Sequence, residues 1–120
     1  PLQRIQIVKV WAGEGDEIHQ AVHDVAGGDN GAAVDPETCE PQGAGARQLC
    51  AVWRDPDFDP ARRAVYYARV LENPTCRYSA WQCLQWSEGD RPSGCERPIM
   101  EPFIQERAWT SPIWFNPKQG

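Results

Sequence analysis

An all-β fold, a small β-sandwich with one short helix and long disulfide-tied loops, is the class this sequence predicts. Three observations predict it. Apolar residues fall in short runs rich in Val, Ile, Tyr and Trp that alternate with a period of two. Eleven Pro and ten Gly punctuate the 120 residues and interrupt any long helix. Five cysteines lack the Cys-x-x-Cys spacing of a thiolate metal site and read as cross-links.

The elements follow in chain order. Residues 4–11 read as an Ile- and Val-rich strand. Ile5 and Ile7 share one face while Val8 and Val10 share the other, which predicts a bulge or a strand covered on both faces. After a turn at residues 13–16, residues 18–26 alternate as a second strand, with Ile18, Gln20, Val22 and Asp24 on one side. The run Gly27-Gly-Asp-Asn-Gly31 is a turn signal, and residues 35–47 are loop-like. Residues 49–54 read as a short strand with Leu49, Ala51 and Trp53 on one face. Residues 55–60, Asp-Pro-Asp-Phe-Asp-Pro, form a stiff acidic loop because both prolines fix φ. Residues 63–71 give the clearest alternation, with Ala64, Tyr66, Ala68 and Val70 opposite Val65, Tyr67 and Leu71. Ser79 followed three residues later by Gln82 fits a capping box and predicts the helix at residues 80–86. Residues 88–102 are loop. Residues 106–115 are the last strand, with Pro112 demanding an edge position or a bulge.

Charge narrows the function classes. The net charge is −5, and no Lys or Arg lies between Gly13 and Ala46, a stretch holding eight acidic residues. A groove for nucleic acid needs clustered cations, so a nucleic-acid partner is not expected. No apolar run reaches membrane-spanning length, so no membrane partner is expected either. Cysteine usage points to an oxidising compartment and an exported protein, periplasmic or secreted. The five cysteines are separated by ten, twenty-five, six and eleven residues. The favoured pairs are Cys39 with Cys50 and Cys83 with Cys95, each closing a loop of about a dozen residues and contributing about 3 kcal/mol in the chain-entropy view. Cys76 is then left over; the rival arrangement joins Cys76 to Cys95 and frees Cys83.

Candidate sites are few. Asp55, Asp57 and Asp59 alternate as carboxylates wrapping a hard cation do, which makes a Ca²⁺ loop the one metal candidate. It lacks the Gly and distal Glu of a calcium-binding helix-loop-helix, so a turn paired with Arg62 or Arg63 is the stronger expectation. His19 and His23 are four apart, but in a strand they lie about 13 Å apart and cannot share an ion. No Ser stands in a Gly-x-Ser-x-Gly elbow, and Glu101 and Glu106 are no more an acid–base pair than other acidic pairs in this chain. No catalytic residue, metal site or cofactor is therefore expected in this segment. Trp53, Trp109 and Trp114 sit in strand patterns and are expected in a core or domain interface. Trp81 and Trp86 flank the cysteine loop, and a glycan or protein contact through Trp-rich loops is the alternative role.

Four ordered segments carry a resemblance: Arg4-Ile-Gln-Ile-Val-Lys9, Trp53-Arg-Asp-Pro-Asp-Phe-Asp-Pro60, Tyr66-Tyr-Ala-Arg-Val-Leu71 and Gln105-Glu-Arg-Ala-Trp-Thr-Ser-Pro-Ile-Trp114. Together they resemble the C-terminal end of the bacterial family known as domain of unknown function 3604. Its longer members resemble the polymerase-and-histidinol-phosphatase superfamily of metal-dependent phosphoesterases. The cysteine-bearing loops are similar to those of one subset of the family, and His23 departs from the Tyr expected in the family pattern. The resemblance implies that residues 1–120 are one C-terminal β domain of a longer protein, which agrees with a first residue of Pro1 and not Met. It also implies that the metal-binding residues belong to an upstream catalytic barrel, the expected partner. A homo-oligomer of the isolated piece is the other partner expectation. The domain by itself is expected to be accessory and not an enzyme.

Overall fold

The computed structural model describes residues 1–96 and 100–117. Three strands form the frame: β1 (Leu2–Ala12), β2 (Ile18–Gly27) and β5 (Ala64–Glu72). β1 is central and pairs antiparallel with both others. The outer side of β5 is shared by two three-residue strands, β8 (Arg107–Trp109) and β9 (Ile113–Phe115). The expected last strand is thus broken in the middle, as Pro112 requires. Thr110 bridges the break, its backbone N–H donating to Ala68 O and its Oγ1 accepting from Ala68 N, each at 3.0 Å. The irregularity expected in β1 is present, with register shifts beside Ile5 against β2 and between Leu2 and Arg4 against β5.

Two small ribbons hang below this sheet: β3 (Ala33–Val34) with β4 (Pro41–Gln42), and β6 (Thr75–Cys76) with β7 (Phe103–Ile104). The all-β class therefore holds. Among the described residues the strands form one five-stranded sheet and these two ribbons. The helix α1 spans Tyr78–Leu84, two residues earlier than the capping box predicts. Its N-cap is Arg77, whose side chain makes no capping bond and instead donates from Nε to Glu101 O. Ser79 is carried inside the first turn and does not cap. A four-residue turn, α2 (Ser93–Glu96), lies in the stretch expected to be loop; residues 97–99 of that stretch are outside the described residues.

Residues 49–54 form no strand, contrary to expectation. Among the described residues their alternation finds no hydrogen-bonding neighbour, and Val52 is 95% exposed. The segment instead leads into residues 55–60, which fold over one face of the sheet. By register that face carries Ile5, Ile7, Lys9 and Trp11 of β1, Ala64, Tyr66 and Ala68 of β5, and His19, Ala21 and His23 of β2. Trp53 lies against His23 and Tyr66, and Phe58 meets Phe115 edge-on at 4.8 Å.

The opposite face carries Val8, Val10, Val65, Tyr67, Val22 and Ile18, with Trp114 beside Val65 and Trp109 beside Arg69. A polar ladder crosses it: Arg4 Nη1 to Asp24 Oδ2 at 3.0 Å, Gln6 Nε2 to Asp24 Oδ1 at 2.7 Å, and Arg69 Nε to Gln6 Oε1 at 2.9 Å. At its centre Val8 is buried, 2% exposed, while at its margins Ile18 is 77%, Trp109 59% and Trp114 69% exposed. No described segment is laid across it as residues 55–60 are on the other face.

Two disulfides tie the lower half. Cys83–Cys95 is the expected pair. Cys39–Cys76 replaces the expected Cys39–Cys50, and Cys50 is free and exposed. Chain proximity alone favours the short loop to Cys50. In the fold, Cys39 sits in the β3–β4 turn with φ +59° and packs against β6, while Cys50 lies on the unpaired segment leading away. A polar knot joins this half to the sheet. Asn30 Nδ2 donates to Ala44 O at 2.7 Å and Asn73 Oδ1 at 2.9 Å, and Gln3 Nε2 donates to Asn30 Oδ1 at 3.2 Å. Gly45 is required here, because a Cβ would come within 2.7 Å of the buried Asn73 amide.

Candidate functional site

The densest polar cluster on the covered face is built by three segments. Lys9 stands in the middle of an Ile- and Val-rich strand, and Tyr66 is its directly opposed partner on β5. Residues 55–57 lie above them. Lys9 is only 6% exposed, so its charge requires partners. It donates from Nζ to Asp55 Oδ2 at 2.6 Å and to Asp57 O at 2.9 Å. Nζ also lies 5.0 Å from the Trp11 ring centre. Tyr66 donates its hydroxyl to Asp55 Oδ2 at 2.7 Å, and the Asp57 N–H donates to Asp55 Oδ1 at 3.0 Å.

These contacts set the charge states. Burial pushes the Asp55 carboxyl upward, but hydrogen bonds from Lys9, Tyr66 and the Asp57 N–H, together with the Lys9 charge, outweigh it and hold the group below its ordinary 3.8. Burial, then the bond to Asp55 and its negative charge, push Tyr66 up to about 12. At pH 7 Asp55 is ionised and Tyr66 neutral, each titrating far from that pH, so neither is poised for proton transfer there. The arrangement is a pin that fastens the acidic loop to the sheet.

The three aspartates of the Ca²⁺ candidate are engaged separately. Asp55 takes the Lys9 ammonium. Asp57 contributes its backbone. Asp59 accepts from Ala61 N at 2.9 Å and lies 3.6 Å from Arg62 Nε. Among the described residues, no three His, Cys, Asp or Glu side chains converge on a common point as metal ligands. The expected Arg62 pairing is present at Asp59; the partner of Asp55 is Lys9, which sequence reasoning missed. Its signal was a lone ammonium inside an apolar strand, a residue that is buried only when paired. A cavity of about 160 Å³ adjoins the pin, walled by Lys9, Trp11, His23, Asp57, Asp59 and Arg62.

His19 and His23 lie on one strand face, as expected, but each is committed to a ring. His19 stacks on Trp11 at 5.6 Å and lies 3.4 Å from Glu17, while His23 packs on Trp53 at 5.0 Å. Cys83 and Cys95 hold a lobe on which Tyr78, Trp81 and Trp86 are exposed. No described helix is long and apolar enough to cross a membrane.

Fold and cluster together define a disulfide-tied β domain whose buried charges serve to fasten a loop. Residues 1–117 match the family described as protein of unknown function (DUF3604), and the chain belongs to that family. No curated protein and no solved structure matches it.

Proposed function

We propose that this chain is a non-catalytic accessory domain of an exported, metal-dependent-hydrolase-like protein, and that it packs on an upstream catalytic domain through its open sheet face. The open face is the observation that carries this reading. A compact monomer of this mass exposes about 6,500 Å², whereas this chain exposes 9147 Å². The open face contributes exposed large apolar side chains of the kind that mark an interface, Ile18, Trp109 and Trp114 among them. Two disulfides support export. The engaged state of Lys9, Asp55 and Tyr66 supports a structural role for the buried charges.

The test is to express the longer natural protein with and without this segment, and with Trp114→Ser. Loss of thermal stability and of hydrolytic activity on removal, with a partial loss for Trp114→Ser, is expected. Unchanged activity and stability on removal would sink the reading. The lobe bearing Tyr78, Trp81 and Trp86 favours a second reading, a glycan- or protein-binding module. In that case Trp81→Ala and Trp86→Ala would abolish glycan-array or pull-down signals without touching stability.

A further inference from the structure

We propose that the outer edge of β2 is a pairing site for the β2 of a second copy of this chain. The two edges of the sheet are built differently. On the β5 side the edge is blunted: β8 and β9 are three residues each, Pro112 lies between them, and Arg107 opens β8. Short strands, Pro and cationic residues are the usual devices that stop a sheet from recruiting another strand. β2 has none of them. It runs ten residues, Ile18–Gly27, with no Lys, Arg or Pro. Its register against β1 is regular from Ile18 to Asp24, and the shift comes only beyond that point. No backbone group of another segment hydrogen-bonds to its outer side among the described residues.

The side chains favour β2 itself as the occupant. Two antiparallel copies related by a two-fold axis must pair residues that share a face, so the axis can pass only through a residue. With the axis at Val22, Val22 meets its own copy, Gln20 meets Asp24 and Ala21 meets His23. The Gln20 amide can donate to the Asp24 carboxylate, and no like-charged side chains oppose one another. With the axis at Ala21, His19 would face His23, and Ile18 would face Asp24. With the axis at His23, the imidazole would face its copy and Val22 would face Asp24. Cross-strand pairs favour the Val22 register over these two. An axis at Gln20, which sets Ile18 against Val22 and His19 against Ala21, also avoids like-charge opposition. Val22→Cys separates the two, because only the Val22 axis brings that residue against its own copy. Pairing also runs the two open faces together, so that Ile18 and Val22 of both copies form one apolar strip. The pairing uses the backbone edge and leaves that face free for the contact proposed above.

Sedimentation velocity on the 120-residue chain tests this. A concentration-dependent doubling of mass is expected below about 1 mM, the range for a small interface. Val22→Lys places two ammonium groups across the axis; it should abolish the dimer and leave the melting temperature of the monomer unchanged. In a Cys50→Ser background, Val22→Cys should form a disulfide-linked dimer in air, because directly opposed Cβ atoms lie about 5 Å apart. Ile113→Cys, on the blunted edge, should not. A monomer throughout the concentration range overturns the proposal, as does a dimer that survives Val22→Lys and is not trapped by Val22→Cys. These readouts concern self-association only, so their failure is distinct from failure of the accessory reading, which is measured in the longer protein.

Discussion

Lys9 and Asp55 are each valuable only while the other is present. Lys9→Met leaves a desolvated carboxylate without its counter-charge and should cost about 3–5 kcal/mol in urea unfolding. Adding Asp55→Asn should recover a large part of that loss, and a double variant no more stable than Lys9→Met would show that the pair is not coupled. Tyr66→Phe removes one hydrogen bond to an ionised acceptor and should cost about 1.5–3 kcal/mol. The same cluster sets the pH limits. Asp55 titrates lower in the fold than its unfolded 3.8. Its contribution is therefore present above the unfolded value and is lost as pH falls through the lower folded one. Tyr66 is raised from 10.0 to about 12, so its contribution is complete below pH 10 and is lost as pH rises through about 12. Melting curves across both windows check this: Asp55→Asn should flatten the acid limb and Tyr66→Phe the alkaline one. At this scale the sequence was half legible. The Asp-Pro loop announced a turn, and Asp57 N–H to Asp55 Oδ1 is such a turn. Nothing local said that the ammonium meeting it would come from forty-six positions earlier.

Among the elements, those whose pattern is local were readable. β1, β2 and β5 alternate strongly, and their faces divide as the alternation predicts, Ala64 and Tyr66 to the covered side and Val65 and Tyr67 to the open one. The failures have a common physical origin. Residues 49–54 alternate too, but a strand exists only where a neighbour accepts its backbone bonds, and no described segment does. The helix starts at Tyr78 because Arg77 is anchored by Glu101 O and Pro102 O, contacts from a distant segment. The disulfide follows the same rule: loop length favoured Cys50, and tertiary placement chose Cys76. Cys39–Cys76 closes 37 residues of sequence separation, which in the chain-entropy view contributes about 4 kcal/mol. Cys39→Ala with Cys76→Ala should therefore lower global stability by about 2–5 kcal/mol. Cys50→Ser, at an exposed position, should move it by less than about 0.5 kcal/mol. Equal effects from the two would contradict the pairing.

As a whole the molecule is long, 72 × 32 × 20 Å, with a radius of gyration of 20.0 Å. A globule of this length has about 14 Å. The extension comes from architecture: one sheet with a covered and an open face, then ribbons and a disulfide-held lobe strung beyond it. Solution scattering on dilute protein should return a radius near 20 Å, and a value near that of a compact globule would contradict the arrangement. The exposed apolar face should bind a hydrophobic dye, and Trp114→Ser should weaken that signal without lowering stability, since Trp114 supports little of the interior. Elongation was not legible in the sequence, because composition reports how much apolar surface exists and not whether the chain covers it.

The unpaired Cys50 acquires a different meaning when folding is followed in time. It lies eleven positions from Cys39, whereas the native partner lies 37 away. In a reduced, unstructured chain the nearer thiol is encountered more often, so a Cys39–Cys50 bridge should form early and must be undone before β3 can reach β6. Oxidative refolding of the wild-type chain should consequently pass through this species and speed up with a thiol–disulfide isomerase. Cys50→Ser should remove the detour and reach the native pairing faster without the isomerase; identical refolding courses would mean that the sheet assembles before any thiol is oxidised.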